Sequence, residues 1–280
     1  MRAFDRAYVN LIRTVERMFP GPERLGVPAT EAMQAAAKAS DPVVLVHGMG
    51  NTVKTWTEMA RTLRKDGFDV HIVALPDNAM GSTLEGAKVL DAAIDDVRLK
   101  TGRTNVQLLA FSLGGVVSRV HLELNDGWRG VSRLVTIATP HHGSLIAPTA
   151  DRLARVPFLR KLPQATLDLA PDSAVFQKLN AAYDPADGGK YHSIYAPAFD
   201  GFVLPYDSAK LEGASNVVLS GDRQWGKFSA HPNHYSIVHQ SDEAYEAARS
   251  ALLGAEPVTA PDVTKVAKVA AGIHDDLAPA

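Results

Sequence analysis

The chain contains no cysteine, which excludes disulfide cross-links, a thiolate nucleophile and cysteine-bound zinc together. Charge of one dominant sign is also missing: 29 Lys and Arg stand against 31 Asp and Glu, a formal net charge of -2. That balance leaves no electrostatic footprint for nucleic acid, and none is expected as a partner. No apolar run approaches the ~18 residues that a transmembrane segment needs. The opening stretch, MRAFDRAYVNLIRTVERMFPGP, lacks the uninterrupted apolar core of a secretory signal. On the chain as written a cytoplasmic location is expected, and a secreted one if the natural protein starts upstream of Met1. Aromatics are few, and Trp56, Trp128 and Trp225 are scattered as packing residues would be.

What the chain does have is core. Hydrophobic residues make up 46% of its 280 positions, enough for a sizeable core, and the length fits one large α/β domain as easily as two small ones. Phe4, Tyr8, Leu11, Ile12, Val15, Met18 and Phe19 recur at helical spacing until Pro20-Gly21-Pro22. They predict a helix packed on the domain, with transient contact to a lipid surface as the alternative. Residues 1–40 are therefore assigned to this helix and a linker. From residue 42 the pattern alternates regularly. PVVLV is a fully apolar, β-branched run, as a buried parallel strand should be. TWTEMARTLRKDG reads as a helix closed by Gly67, and DVHIVAL as a second strand. TLEGAKVLDAAIDDVRLKTG is a long helix with Leu84, Ala87, Leu90, Ile94 and Val97 on one face. NVQLLAF, LGGVVSRVHLELN and VSRLVTIATP continue strand, helix, strand. Such alternation implies a mostly parallel sheet with helices on both faces.

The rhythm breaks at TPHHGS. Residues 144–190 hold Pro148, Pro157, Pro163 and Pro171 among leucine-rich pieces, and are expected to form a small helical cap above the sheet. YHSIYAP and NVVLS then supply two more strands, for about six in all, and DEAYEAARSALLG a last helix. Residues 255–280, rich in Ala, Pro and Val, are read as a loosely docked tail.

One turn carries the chemical signal. In LLAFSLGGVVSR, Ser112 stands where a buried strand ends and a helix begins. Ligands collect at the carboxyl ends of parallel strands. A serine hydroxyl becomes a nucleophile only when exposed beside a base and near donors for the developing oxyanion. A tight strand-turn-helix exposes it but crowds the backbone two residues to either side, where Ala110 and Gly114 are small. The helix start also directs the N–H of Leu113 toward the forming charge. AFSLGG resembles the nucleophile elbow of the α/β-hydrolase superfamily. With Ala110 in place of the usual first glycine, it is similar to the Ala-x-Ser-x-Gly elbow of class 2-like bacterial lipases. VLVHGMGN resembles the same lipases' early strand ending in His-Gly. By that resemblance Met49 and Leu113 are the two backbone donors of an oxyanion hole, and His47 braces the turn. TIATPHHGS also resembles a lipase segment, and the likeness runs from about residue 42 to 253. It implies an α/β-hydrolase fold over residues 1–280 as a single domain.

In this fold the triad follows the chain order Ser, Asp, His. Asp200, in AFDGFVLP just after the fifth strand, resembles the family's acid loop more than Asp207 or Asp222 does. Among His231, His234 and His239, the NHYSI step matches the family's histidine with His234 and Ile237. The expected catalytic residues are thus Ser112, Asp200 and His234. HPNHYSIVH offers ligand types but not the spacing of a zinc site, so no metal and no cofactor are expected. The implied function is hydrolysis of a small-molecule or lipid ester, with short to medium acyl chains preferred. An acyltransferase on the same site and a non-catalytic ligand-binding relative are the alternatives, and oligomeric state is left open.

Overall fold

The computed structural model describes residues 22–149, 161–196, 202–219 and 234–255, the single residues Asn10, Thr14, Arg152, Arg155 and Val156, and the backbone of 223–225 and 228–230. The expected N-terminal helix, most of 150–160 and nearly all of the expected tail lie outside the described residues.

Strands β1 (Val43–Val46), β2 (Val70–Val73), β3 (Val106–Phe111), β4 (Val131–Ile137), β5 (Tyr191–Tyr195) and β6 (Ser215–Val218) form one sheet in the order β2-β1-β3-β4-β5-β6. Every neighbouring pair is parallel. β1 and β3 are buried along their whole length, which is why both are continuously apolar rather than alternating. Their side chains still divide by the two-residue period of a strand. Val44, Val46, Leu108 and Ala110 join the core on one face. Val43, Leu45, Leu109 and Phe111 join the core on the other.

Helices α1 (Glu31–Ala39), α2 (Thr57–Lys65), α3 (Thr83–Thr101), α4 (Leu113–Leu124), α5 (Gln164–Asp168), α6 (Ala174–Ala182), α7 (Ser236–His239) and α8 (Asp242–Leu252) cover the sheet. Their limits follow local chemistry. The Ser82 hydroxyl accepts from Leu84 N–H to start α3, and Gly102, at φ 67°, ends it as the left-handed cap glycine favours. Ser173 and Ser241 cap α6 and α8 in the same way. The α3 stripe departs from expectation at its first turn: Ala87, Leu90, Ile94 and Val97 are buried with Gly86, but Leu84 is 41% exposed. Position 84 is rotated off the stripe, and Thr83 takes the inward place.

Two elements were not anticipated. α1 occupies part of the stretch assigned to a linker, capped by Thr30 and burying only Ala37; so little apolar burial leaves a weak periodic signal. A two-stranded antiparallel ribbon, β7 (Arg223–Trp225) with β8 (Phe228–Ala230), follows the sheet. The described part of 144–190 holds two short helices, α5 and α6, and a 3-10 turn at Pro185–Lys190, joined by turns. It is tied down by Asp168, whose carboxylate accepts from the N–H of Thr83 at 2.9 Å and its hydroxyl at 2.8 Å.

Sheet order also locates the site. β2 lies on one side of β1 and β3 on the other, so the winding reverses between β1 and β3. The carboxyl ends at such a switch point form a crevice. His47 to Asn51 and Ser112 leave from those two strand ends.

Candidate active site

Ser112 adopts φ 53° and ψ -125°, a backbone state that costs a non-glycine residue roughly 1–3 kcal/mol. The surroundings impose it. Its N–H donates to the Ile137 carbonyl at 2.9 Å, and its carbonyl accepts from Gly115 N–H at 3.0 Å and from the Thr139 hydroxyl at 3.0 Å. A Cβ at position 114 would stand 2.4 Å from the Val46 carbonyl oxygen and 2.7 Å from that of His47. At 115 it would stand 2.1 Å from Thr139 Oγ1. Gly114 and Gly115 are therefore both required: the elbow is pressed against the end of β1 on one side and the end of β4 on the other.

The β1 exit loop is wired with equal economy. Buried His47 donates from Nδ1 to the Gly48 carbonyl at 3.0 Å, and its Nε2 accepts from Leu75 N–H at 3.1 Å. Burial pulls its pKa down, partly countered by the bond to Gly48, so the ring stays neutral and acts as a brace. Gly50 N–H donates to the Asn78 carbonyl at 2.8 Å. A side chain at Gly48 would begin 3.0 Å from Ser112 Cβ, so this loop lies directly against the serine. Among the described residues, no protein acceptor takes the amide hydrogens of Met49 or Leu113, and Leu113 is the first residue of α4. The Thr166 hydroxyl from the cap rests 3.5 Å from Met49 Sδ.

His234 Nε2 lies 2.8 Å from Ser112 Oγ, across 122 residues of sequence. The imidazole is buried, tilted against Phe111 at 4.8 Å and Phe202 at 5.1 Å between centroids. A serine hydroxyl, a ring nitrogen at hydrogen-bonding distance from it and two amides at a switch point are the parts that acyl transfer needs.

Asp200, His231 and Asp222 lie outside the described residues. Asp207 is exposed on the turn Tyr206–Ala209; its charge acts on His142, and it makes no hydrogen bond to His234. His239 is paired elsewhere, its Nδ1 3.3 Å from Glu58 Oε2 on α2. Burial raises the Glu58 carboxyl, but the hydrogen bond from His239 helps outweigh this and leaves it lowered. His141 is buried against the Thr136 hydroxyl at 3.0 Å, and burial, with Arg119 nearby, holds it well below the usual histidine range. Among the described residues no cluster of three His, Asp or Glu could hold a metal ion.

Two participants carried no sequence signal of their own. Phe202 packs on the His234 ring, a contact that no local pattern announces. Asn51 is 2% exposed, its Nδ2 has no partner, and its Oδ1 stands 3.1 Å from where a Gly48 side chain would start. Phe176 and Leu169 are buried in the core with α4, because α6 folds its apolar face onto that helix. Leu153, Phe158 and Leu159 lie outside the described residues.

Comparison with known proteins gives a consistent picture. A model of the palmitoyl protein thioesterase family matches residues 42–183. A triacylglycerol lipase of Burkholderia plantarii is 32% identical over 128 residues, 43% of this chain and 35% of that protein. One of Pseudarthrobacter phenanthrenivorans is 32% identical over 114 residues, 38% of this chain and again 35% of the relative. Each match thus spans about a third of the curated relative. Among solved structures, the mature lipase BlEst2 of Bacillus licheniformis aligns with TM-score 0.53 and 22% identity, over 79% of this chain and 92% of that one. Lipase B of Aspergillus fumigatus aligns with TM-score 0.59 and 19% identity, over 82% and 56%. At such identities the likeness establishes the fold, and the sheet described above is that of an α/β-hydrolase.

Proposed function

The chain belongs to the palmitoyl protein thioesterase family, and on that premise we propose that it hydrolyses carboxylic esters through an acyl-serine intermediate. Ser112 attacks the ester carbonyl while His234 Nε2 takes its proton. Asp200 orients His234 and supports the imidazolium that forms. The amides of Met49 and Leu113 stabilise the tetrahedral oxyanion. His234 then gives its proton to the leaving alcohol, and water repeats the sequence on the acyl-enzyme to release the acid and regenerate the serine. This chemistry calls for no cofactor.

What supports the reading above all is the 2.8 Å contact between His234 Nε2 and Ser112 Oγ. Nucleophile and base already sit at the hydrogen-bonding distance that general-base activation requires. The two similar proteins named triacylglycerol lipases favour an oxygen ester, of lipid or small-molecule type. A thioester, suggested by the family's name, would pass through the same tetrahedral species with a thiolate leaving instead. Short to medium acyl chains are the expected preference.

A series of p-nitrophenyl esters, with a serine-directed phosphonate, tests the proposal. Turnover by the natural protein and stoichiometric labelling are expected, both absent in Ser112→Ala, whose loss should be on the order of 10⁴-fold or more. Asp200→Asn should lower kcat by orders of magnitude and Asp207→Asn little. A phosphonate that never reacts would point to the non-catalytic relative. Product partitioning toward an added alcohol, far beyond its molar share, would point to the acyltransferase.

A further inference from the structure

A cavity of about 250 Å³ opens between α3, α4 and the loop that follows β2, walled by Leu75, Ala79, Gly86, Leu113 and Val117. We propose that it receives the acyl chain of the substrate; this rests on the ester-hydrolase reading above. The cavity has a local origin. After β2 the chain turns through three successive residues with positive φ, Asp77 at 49°, Asn78 at 55° and Ala79 at 57°. That turn swings the loop outward before Ser82 starts α3. Gly86 lets α3 approach α4 while leaving the wall thin, since even a methyl there would meet both Val117 methyl groups at 3.3 Å.

Its position ties it to the reaction. Leu113, directly after the nucleophile, lines it. The turn that contributes Asp77 and Ala79 also holds the other oxyanion segment, through the Asn78 carbonyl and Gly50 N–H. The tetrahedral carbon bears four groups: Ser112 Oγ, the oxyanion, the leaving oxygen and the acyl chain. The leaving oxygen must face His234, which protonates it. Neither His234 nor its ring neighbours Phe202 and Tyr235 line the cavity. The remaining group is the acyl chain, which on this proposal runs past Leu113 into the cavity.

The chemistry of the walls selects an uncharged chain. Asp168 already caps the start of α3 through Thr83, so that helix end is not free for an anion. Asp77 and Glu85 also border the space, which repels a carboxylate or phosphate. The volume lies just below the roughly 300–1,000 Å³ of drug-sized sites, in keeping with short to medium chains.

Gly81 provides the test. It lines the cavity, its φ is not positive, and an added Cβ meets nothing within 4 Å, so Gly81→Leu can fill the space without forcing the backbone. In the natural protein, kcat/KM for p-nitrophenyl esters should climb from acetate toward octanoate, by at most about fourfold per buried methylene. Gly81→Leu should lose at least tenfold more on octanoate than on acetate, and Val117→Ala should shift the optimum to longer chains. Equal losses on both esters, or an unmoved profile in both variants, would overturn the proposal. Binding of methyl octanoate to Ser112→Ala protein, followed by calorimetry, separates this question from hydrolysis itself. Binding abolished by adding Gly81→Leu supports the assignment whatever the turnover, and unchanged binding sinks it. Failure of the natural protein to cleave any ester would count against the hydrolase reading alone.

Discussion

Ser112 and His234 meet at 2.8 Å, yet the two sides of that contact are held by different means. On the serine side the fastening is backbone. The Ser112 amide and carbonyl are both engaged, Gly48 and Gly114 lie at contact distance from neighbouring chain, and His47 is bonded to backbone at both ring nitrogens. On the histidine side the contacts among the described residues are between side chains: Phe111 and Phe202 flank the ring, and the His239–Glu58 pair joins α7 to α2. Backbone contacts at van der Waals limits tolerate no added atom, whereas packed rings yield by degrees. Substitutions should therefore act abruptly on the serine side and gradually on the histidine side.

The largest effect tests whether the two sides act as a unit. His234→Ala should match Ser112→Ala, a loss on the order of 10⁴-fold in kcat with folding intact, while His239→Ala should keep most activity. Steady-state kinetics with circular dichroism would check this; comparable losses at 234 and 239 would break the assignment of the base. Next comes Gly114→Ala. Its methyl would be driven to 2.4 Å from the Val46 carbonyl, and overpacking of this kind costs about 1–3 kcal/mol. Displacing the elbow by an ångström should lower kcat on the order of 10²-fold. A variant as stable and active as its parent would show that the serine side is not rigid. Phe202→Ala should do less, roughly a tenfold loss in kcat with KM little changed, because His234 keeps Phe111 but gains freedom.

The smallest effect is on stability in mild acid. His47, His121 and His141 are lowered by burial, and His192 is pulled down to about 4, by burial first and then Arg133. In the unfolded chain these rings titrate near ~6.5. Below that pH the unfolded state binds more protons than the native one, so stability falls as pH drops. The contribution is full above ~6.5 and declines through the window below it, with the part due to His192 levelling off under about 4. On the serine side, protonated His47 could no longer accept from Leu75 N–H. Urea titrations at pH 7.5, 6 and 5 should show the decline, and a flat profile would contradict it.

Legibility in the sequence divides along a similar line. The six sheet strands, the long helix α3 with its Gly102 stop, and the tight turn at Ser112 were readable because each is recorded within about ten neighbouring residues. Strands buried on both faces need unbroken apolar runs, and a crowded turn needs small residues. Where the record is thin, the sequence misled: α1 buries one alanine, and the β7–β8 ribbon is three residues on each side. Phe176 reads the same whether it lines a groove or fills a core. Its burial followed only from the way α6 lies on α4.

By itself the sequence determined the class of fold, the strand-turn-helix that exposes a serine, and three histidines within reach of one loop. Tertiary structure decided the rest. It brought His234 to Ser112, since that contact depends on how β3 and the chain after β6 come together at one end of the sheet. It turned His239 toward Glu58, showed Gly115 to be as necessary as Gly114, and opened a cavity between α3 and α4. Periodicity and turn chemistry are local quantities set by a few dihedral angles. A contact between residues 122 positions apart, or a space between two helices, depends on strand order and helix packing, which no short stretch of sequence contains.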